Sequence, residues 1–353
     1  MKFDPNTFSN DVLVGDGFFE FFNNISRMNI KLPIDPEPNF FDIKLDRVFD
    51  NASVSESNEI ENIYKLDVHN GCKLVGDDHF LISAYDESIN KYATLEGKAV
   101  YVSHSLIYLH GDRYYPVNKL TMMFVTKSRQ VASQVSNGVF ADKWDLDTTA
   151  NVEISTQKRD FLTKYSCDNS LLLIDGPFLA GDGLAVFRGI IKERFIDHGI
   201  IPIFIVKNSN TSLVVDSIPE FRGQYNSDLH WSNGILKAGE RTKFFNYTDK
   251  QNPDNSKMFC YLKFYDTASP IRIEIPTAIY IKNRPSINSF LDMIYYMIVE
   301  QGNMGNPQVR PIAVAEMFAR ETLNLINFNK KMSCSDFTPT INEERGMEYG
   351  GQY

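Results

Sequence analysis

At 353 residues, with 43% hydrophobic and 23% charged side chains, the chain has room for one large or two ordinary globular domains. Its net charge of −9 argues against a protein that coats nucleic acid, although an enzyme with a local basic channel is compatible with it. No apolar run approaches the roughly 20 residues of a membrane helix, and the N-terminus lacks the basic-then-apolar layout of a signal peptide, so a cytoplasmic protein without membrane attachment is expected. The four cysteines form no CxxC pair and the six histidines no HExxH, so any metal site must rest mainly on carboxylates. Oxygen ligands favour magnesium or manganese over zinc.

In chain order, residues 17–28 have the pattern of a short amphipathic helix. Three prolines break 31–42, and the polar 51–62 reads as a loop or a helix start. Residues 80–88 form a buried strand expected to end on Asp86. The segment 98–117 gives two β-rich runs joined by the turn His110-Gly111-Asp112-Arg113, and 120–125 gives another strand. An antiparallel meander follows from this order. Residues 148–166 read as a helix.

The run Leu171-Leu172-Leu173-Ile174 then leads straight into Asp175, Gly176 and Pro177. Leu184, Phe187, Ile190, Ile191 and Phe195 recur at helical spacing before Gly199, and 200–209 is a second continuous apolar strand. Strand, helix and strand with short connections make a βαβ unit, whose strands should be parallel. Residues 257–266 and 271–281 are paired strands. Arg272 and Glu274 share a face of the second, with Ile271, Ile273 and Ile275 on the other. Residues 286–302 and 310–328 are helices, and the polar segment from 333 onward is expected to be loosely held. Three glycines lie in 176–183, but the GxxxxGK[ST] layout is missing, so a P-loop is excluded.

Chemistry enters through the acids. An unpaired carboxylate at the end of a buried strand is costly, so Asp175 either meets a cation, phosphate or substrate, or bonds to nearby backbone N–H groups in a turn. Asp86 stands at a second strand end, Glu153 on the intervening helix and Glu316 on the last helix. Three antiparallel strands, then helix–strand–helix–strand and a late helix pair, are compatible with a ribonuclease H-like α/β core with a mixed central sheet flanked by helices. Converging acids in such a core repel one another unless they gather cations. Two divalent ions serve phosphodiester cleavage by activating water and stabilising the leaving oxygen.

The segments 171–183, 200–209, 227–245, 271–276 and 310–320 occur in an order that resembles the NurA-type nucleases over roughly residues 78–328. The resemblance implies an N-terminal extension over 1–77, a nuclease domain over 78–330 and a flexible C-terminal tail over 331–353. It implies a nuclease acting on DNA ends with two manganese or magnesium ions, a homodimer, and a HerA-like hexameric ATPase as partner. Asp86, Glu153, Asp175 and Glu316 fall on the metal-binding catalytic positions and Lys207 on the family's strand-end lysine, suited to a DNA phosphate; Arg272 is expected from its strand alone to bind DNA by facing a phosphate. Glu87 replaces the family's glycine after the first aspartate. Aligned on Pro311, Gln308 and Glu316 stand where the family has tyrosine and histidine, which motivates the alternative of a catalytically weak scaffold that docks a translocase or clamps DNA. A phosphatase built around 171–183 is a third, more distant reading. On the residues alone, Lys207 is equally a solvated strand-end lysine and Arg272–Glu274 a same-face salt bridge. Asp228 reads as a helix N-cap, with Trp231 packed and His230 exposed.

Overall fold

Apolar runs at two-residue and continuous spacing gather into a single mixed sheet. The computed structural model describes residues 12–25, 52–76, 81–179, 190–209, 211–216, 225–301, 304 and 307–340. The chain opens with β1 (Val12–Val14) and α1 (Phe18–Asn24), and later β2 (Ala52–Glu56), β3 (Ile63–Lys65) and α2 (Val68–Val75). A meander follows: β4 (Leu81–Ala93), β5 (Lys98–His110) and β6 (Arg113–Thr126), then α3 (Arg129–Gln134), β7 (Gly138–Phe140) and the long α4 (Leu146–Tyr165). Next come β8 (Ser170–Asp175) and β9 (Ile201–Val206), α5 (Asp228–Ile235), β10 (Glu240–Thr242) and β11 (Phe245–Asp249). The last elements are β12 (Lys257–Lys263), β13 (Ile271–Pro276), α6 (Thr277–Asn283), α7 (Ile287–Val299), α8 (Arg310–Asn324) and α9 (Phe328–Ser333).

The sheet order is β1-β6-β5-β4-β8-β9-β13-β12-β10-β3. Strands β4, β5 and β6 are antiparallel, β8 runs parallel to β4, and β9 runs parallel to β8. That arrangement is the ribonuclease H-like core the element order implied, with β13, β12 and β10 extending it on the far side. Both faces are covered. Val100 and Val102 of β5 pack with Ala150 and Ile154 of α4. Their neighbours Ala99 and Tyr101 face the other way, among Phe18, Phe21, Leu323 of α8 and Phe328. This two-residue alternation buries β5 from both sides.

Several elements depart from the sequence reading. Asp86 does not end its strand, because β4 continues to Ala93 in register with β5. Residues 113–126 make one strand where two short ones were expected, since the polar Asn118 and Lys119 between them still pair with Ser105 and His104. The polar 51–62 contains an edge strand, β2, whose Val54 joins the cluster around Phe245 and Tyr247 while its serines face away. The strand at 271 stops at Pro276, which has no N–H for the ladder, and 277–283 is helical. Of the tail, Phe337 is buried and stacks on Phe124 with ring centroids 4.4 Å apart. Residues 52–76 contribute β2, β3 and α2 to the same sheet and core as the rest. The segment 184–195 is described only from 190, where Ile191–Ile196 form a π-helical turn. The proline-broken 31–42 and the tail beyond 340 lie outside the described residues.

Candidate functional site

Strand β8 ends where its neighbour β4 continues. Ile174 pairs with Tyr85, so Asp175 and Asp86 are the next residues along two adjacent parallel strands. On its other side Asp175 pairs with Ile205 of β9. Lys207, one residue past β9, sets its Nζ 2.7 Å from Asp175 Oδ2. Asp86 is half-buried, and its Oδ1 accepts the N–H of Glu87 at 2.8 Å. Burial first, then the charge of Asp175, pushes the Asp86 carboxyl up to about 7, with Lys207 acting in the opposite sense. Two carboxylates are thus forced side by side, one of them held near neutrality. A divalent cation relieves this kind of crowding, and an all-oxygen donor pair suits magnesium or manganese.

The residues flanking Asp86 face the other side of the sheet. Lys158 of α4 lies 3.0 Å from Glu87 Oε2 and sits over the ring of Tyr85. Burial would raise Glu87, but Lys158 and His104 hold it below its ordinary value. Tyr85 Oη and His104 Nδ1 are 2.7 Å apart, and burial drives His104 down to about 4. Gln157 Oε1 accepts from Thr121 Oγ1 at 2.6 Å beside them. This polar patch beneath α4 escaped the sequence reading. The available signal was the alternation itself, which puts Glu87 on the face opposite Asp86.

Glu153 lies on α4, the helix that covers the Glu87 face. Glu316 lies on α8, across the sheet, where Leu323 packs near Tyr92 and Tyr101. Glu316 Oε2 accepts from Gln308 Nε2 at 3.0 Å, and its Oε1 pairs with Arg320. Among the described residues, no three His, Cys, Asp or Glu side chains form a group that could hold a metal ion. The structure brings Asp86 and Asp175 together, and Glu153 and Glu316 do not join them in such a group.

Arg272 is 3% exposed. Its guanidinium meets Glu274 Oε1 at 2.7 Å, Ser209 Oγ at 2.8 Å and Thr211 Oγ1, so the same-face salt bridge is what forms. Asp228 is buried at the start of α5, whose cap is Ser227. The Asp228 carboxylate accepts from Val214 and Val215 N–H, each at 2.9 Å, and from Tyr261 Oη at 2.7 Å. Trp231 packs edge-on to Phe245 and Tyr261.

These observations define a mixed α/β protein with a ribonuclease H-like strand order and a carboxylate pair at the rim of its parallel strands. Residues 82–303 match the family model described as NurA domain, which is more than half of the chain, and the chain belongs to the NurA family. Among solved structures it is similar to the NurA nuclease from Sulfolobus solfataricus, at 10% identity over 74% of this chain and 88% of that one, with a TM-score of 0.46. A crystal structure of NurA with manganese is similar at 9% identity over 74% and 92% of the two chains, with a TM-score of 0.36. Endonuclease V from Bacillus subtilis is similar at 11% identity over 69% and 81%, with a TM-score of 0.37. No curated protein matches. Among the described residues, no helix is long and apolar enough to cross a membrane.

Proposed function

We propose that this protein is a metal-dependent DNA nuclease that acts on DNA ends as a homodimer, in concert with a HerA-like hexameric translocase. Family membership supports the class of activity. The juxtaposition of Asp86 and Asp175 carries the chemistry. These two side chains would hold a divalent cation, manganese or magnesium, which when bound supplies an activated water and stabilises the leaving oxygen of the phosphodiester. Near neutral pH the Asp86 carboxyl retains a proton for part of the time, because burial and Asp175 raise its pKa, and it would give that proton up to hold a cation. Lys207 has a point charge suited to a DNA phosphate once Asp175 turns to the cation. Glu316, on the helix across the sheet from α4, would assist a second ion after leaving Gln308 and Arg320. Glu153, on the helix over the other face, has no part in this reading.

Asp175→Asn keeps the size of the side chain and removes its charge. It should abolish manganese-dependent degradation of linear DNA while the far-ultraviolet circular dichroism stays that of the parent. Digestion at the parental rate by the folded variant would end the proposal.

The engagement of Glu316 by Gln308 and Arg320 favours a second reading, a scaffold subunit that docks a translocase or clamps DNA. Titration calorimetry with manganese separates the two. The nuclease takes up the ion saturably and loses that uptake in Asp86→Asn, whereas the scaffold shows no such uptake.

A further inference from the structure

Three charged side chains are buried together in the far half of the sheet. Lys257 is 4% exposed, Arg272 3% and Glu274 0%. Glu274 Oε1 accepts from Lys257 Nζ and from Arg272 Nε, each at 2.7 Å. Its Oε2 accepts the backbone N–H of Phe178 at 2.8 Å. Burial alone would raise Glu274, but Lys257 and Arg272 hold it below its ordinary value, so it stays an anion with both oxygens engaged. Such a cluster is a poor source of stability, because well-packed hydrophobic residues of similar volume often serve a fold as well or better.

It holds both rim segments of the candidate site. Phe178 stands three residues past Asp175, and Ser209, which accepts from Arg272 Nη1 at 2.8 Å, stands two residues past Lys207. β13 flanks β9, which in turn flanks β8, so Glu274 reaches across one strand to the chain leaving the next. The turn is fixed along its length. Gly176 adopts φ +95°, open to glycine and strained for other residues, and donates its N–H to Ile205 O at 2.9 Å. Pro177 restricts the next φ. Phe178 lays its ring against Phe204, with centroids 5.2 Å apart. A hydrogen bond to an ionised carboxylate is stronger than one between neutral groups, so Glu274 secures the end of this turn.

We infer that Glu274, held in place by Lys257 and Arg272, is a positioning residue: it fixes the Asp175–Phe178 turn so that Asp175 stays beside Asp86 at the strand end, while Arg272 restrains the segment after Lys207. The catalytic consequence rests on the nuclease reading; the restraint itself does not. A displacement of about 1 Å in a reacting group costs on the order of 100-fold in rate.

Removing Glu274 alone would strand two buried cations, so the test uses neutral triples. Lys257→Met with Arg272→Met and Glu274→Met removes every charge and the acceptor. The same pair with Glu274→Gln removes the charges but keeps a carbonyl for Phe178. By amide hydrogen exchange, the Phe178 N–H of the Met triple should exchange at least 10-fold faster than in the parent, and the Gln triple should recover most of that protection. With DNA and manganese, kcat of the Met triple should fall 10- to 100-fold with KM nearly unchanged, and the Gln triple should regain part of it. Unchanged exchange in the Met triple, or no recovery in the Gln triple, overturns the inference. The unaltered chain gives a check that needs no variant to fold: its Phe178 amide must exchange as slowly as those of β8, and rapid exchange there also overturns it. Failure of the nuclease reading shows separately, as loss-free digestion by Asp175→Asn with the exchange results intact.

Discussion

At the scale of single residues, Asp86 is where the sequence said least about environment and the fold contributes most. Its position was legible from an apolar run followed by an acid. Its surroundings were not, because burial raises it most and the next contributor, Asp175, lies 89 residues away, on a strand whose register no local pattern reveals. In the folded chain its carboxyl sits at about 7, against an ordinary value of 3.8. Between those values the folded chain binds a proton that the unfolded chain has lost. The stabilisation this group contributes is therefore complete below about pH 4 and disappears as the pH climbs to 7. One pKa unit corresponds to about 1.4 kcal/mol, and solvent screening of a part-exposed carboxyl reduces the total to roughly 2 kcal/mol. Asp86→Asn has no charge at any pH. It should stabilise the metal-free chain by roughly 2 kcal/mol at pH 8 and leave it unchanged at pH 4, as read from urea denaturation. Equal gains at both pH values would show that the carboxylate is not under electrostatic strain.

At the scale of elements, helix α2 docks on α7 through a glycine and an aspartate. A Cβ on Gly71 would fall 2.1 Å from Asp292 O, so the two helices touch backbone to backbone there. Asp292 also accepts the Asp67 N–H at 2.8 Å and the Asn70 side-chain amide at 2.7 Å, while Asp67 caps α2 through the N–H groups of His69 and Asn70. Gly71→Ala must push the helices apart and should cost about 1–3 kcal/mol, measured as a lowered urea midpoint. An unchanged midpoint would mean that α2 is not seated on α7 in solution. The same pair shows what a sequence conceals. α7 was legible as a helix, but at its closest approach α2 offers Gly71 and Asn70, and their contact with Asp292 has no hydrophobic signature. The meander and the parallel pair β8–β9 were legible because long apolar runs allow few alternatives. The edge strands β2 and β3 were not, since a strand exposed on one side reads as a polar loop until its partner is known.

At the scale of the whole molecule, the family match over 82–303 contains Asp86, Asp175 and the Lys257–Arg272–Glu274 cluster, yet the fold around them draws on chain from both sides. β2 and β3 close the edges of β11 and β10. Leu66, Leu74 and Val75 of the α2 region pack against the main core. Beyond 303, Ile312 and Ala315 of α8 join the same core, and Leu323 joins the cluster around Tyr92 and Tyr101. A fragment of residues 82–303 would open strand edges on β6, β10 and β11 and uncover the sheet face beneath α8, losing apolar burial that a marginally stable chain cannot spare. Trp231, 6% exposed between β11 and β12, reports on the half of the sheet farther from the meander. With Trp144→Phe introduced in both proteins, its fluorescence in the full chain should be blue-shifted and should change in one sigmoidal step with urea. In the fragment it should be red-shifted in buffer alone and drift without a transition. A sigmoidal transition from a blue-shifted start in the fragment would show instead that 82–303 is an autonomous domain and that its flanks are accessories.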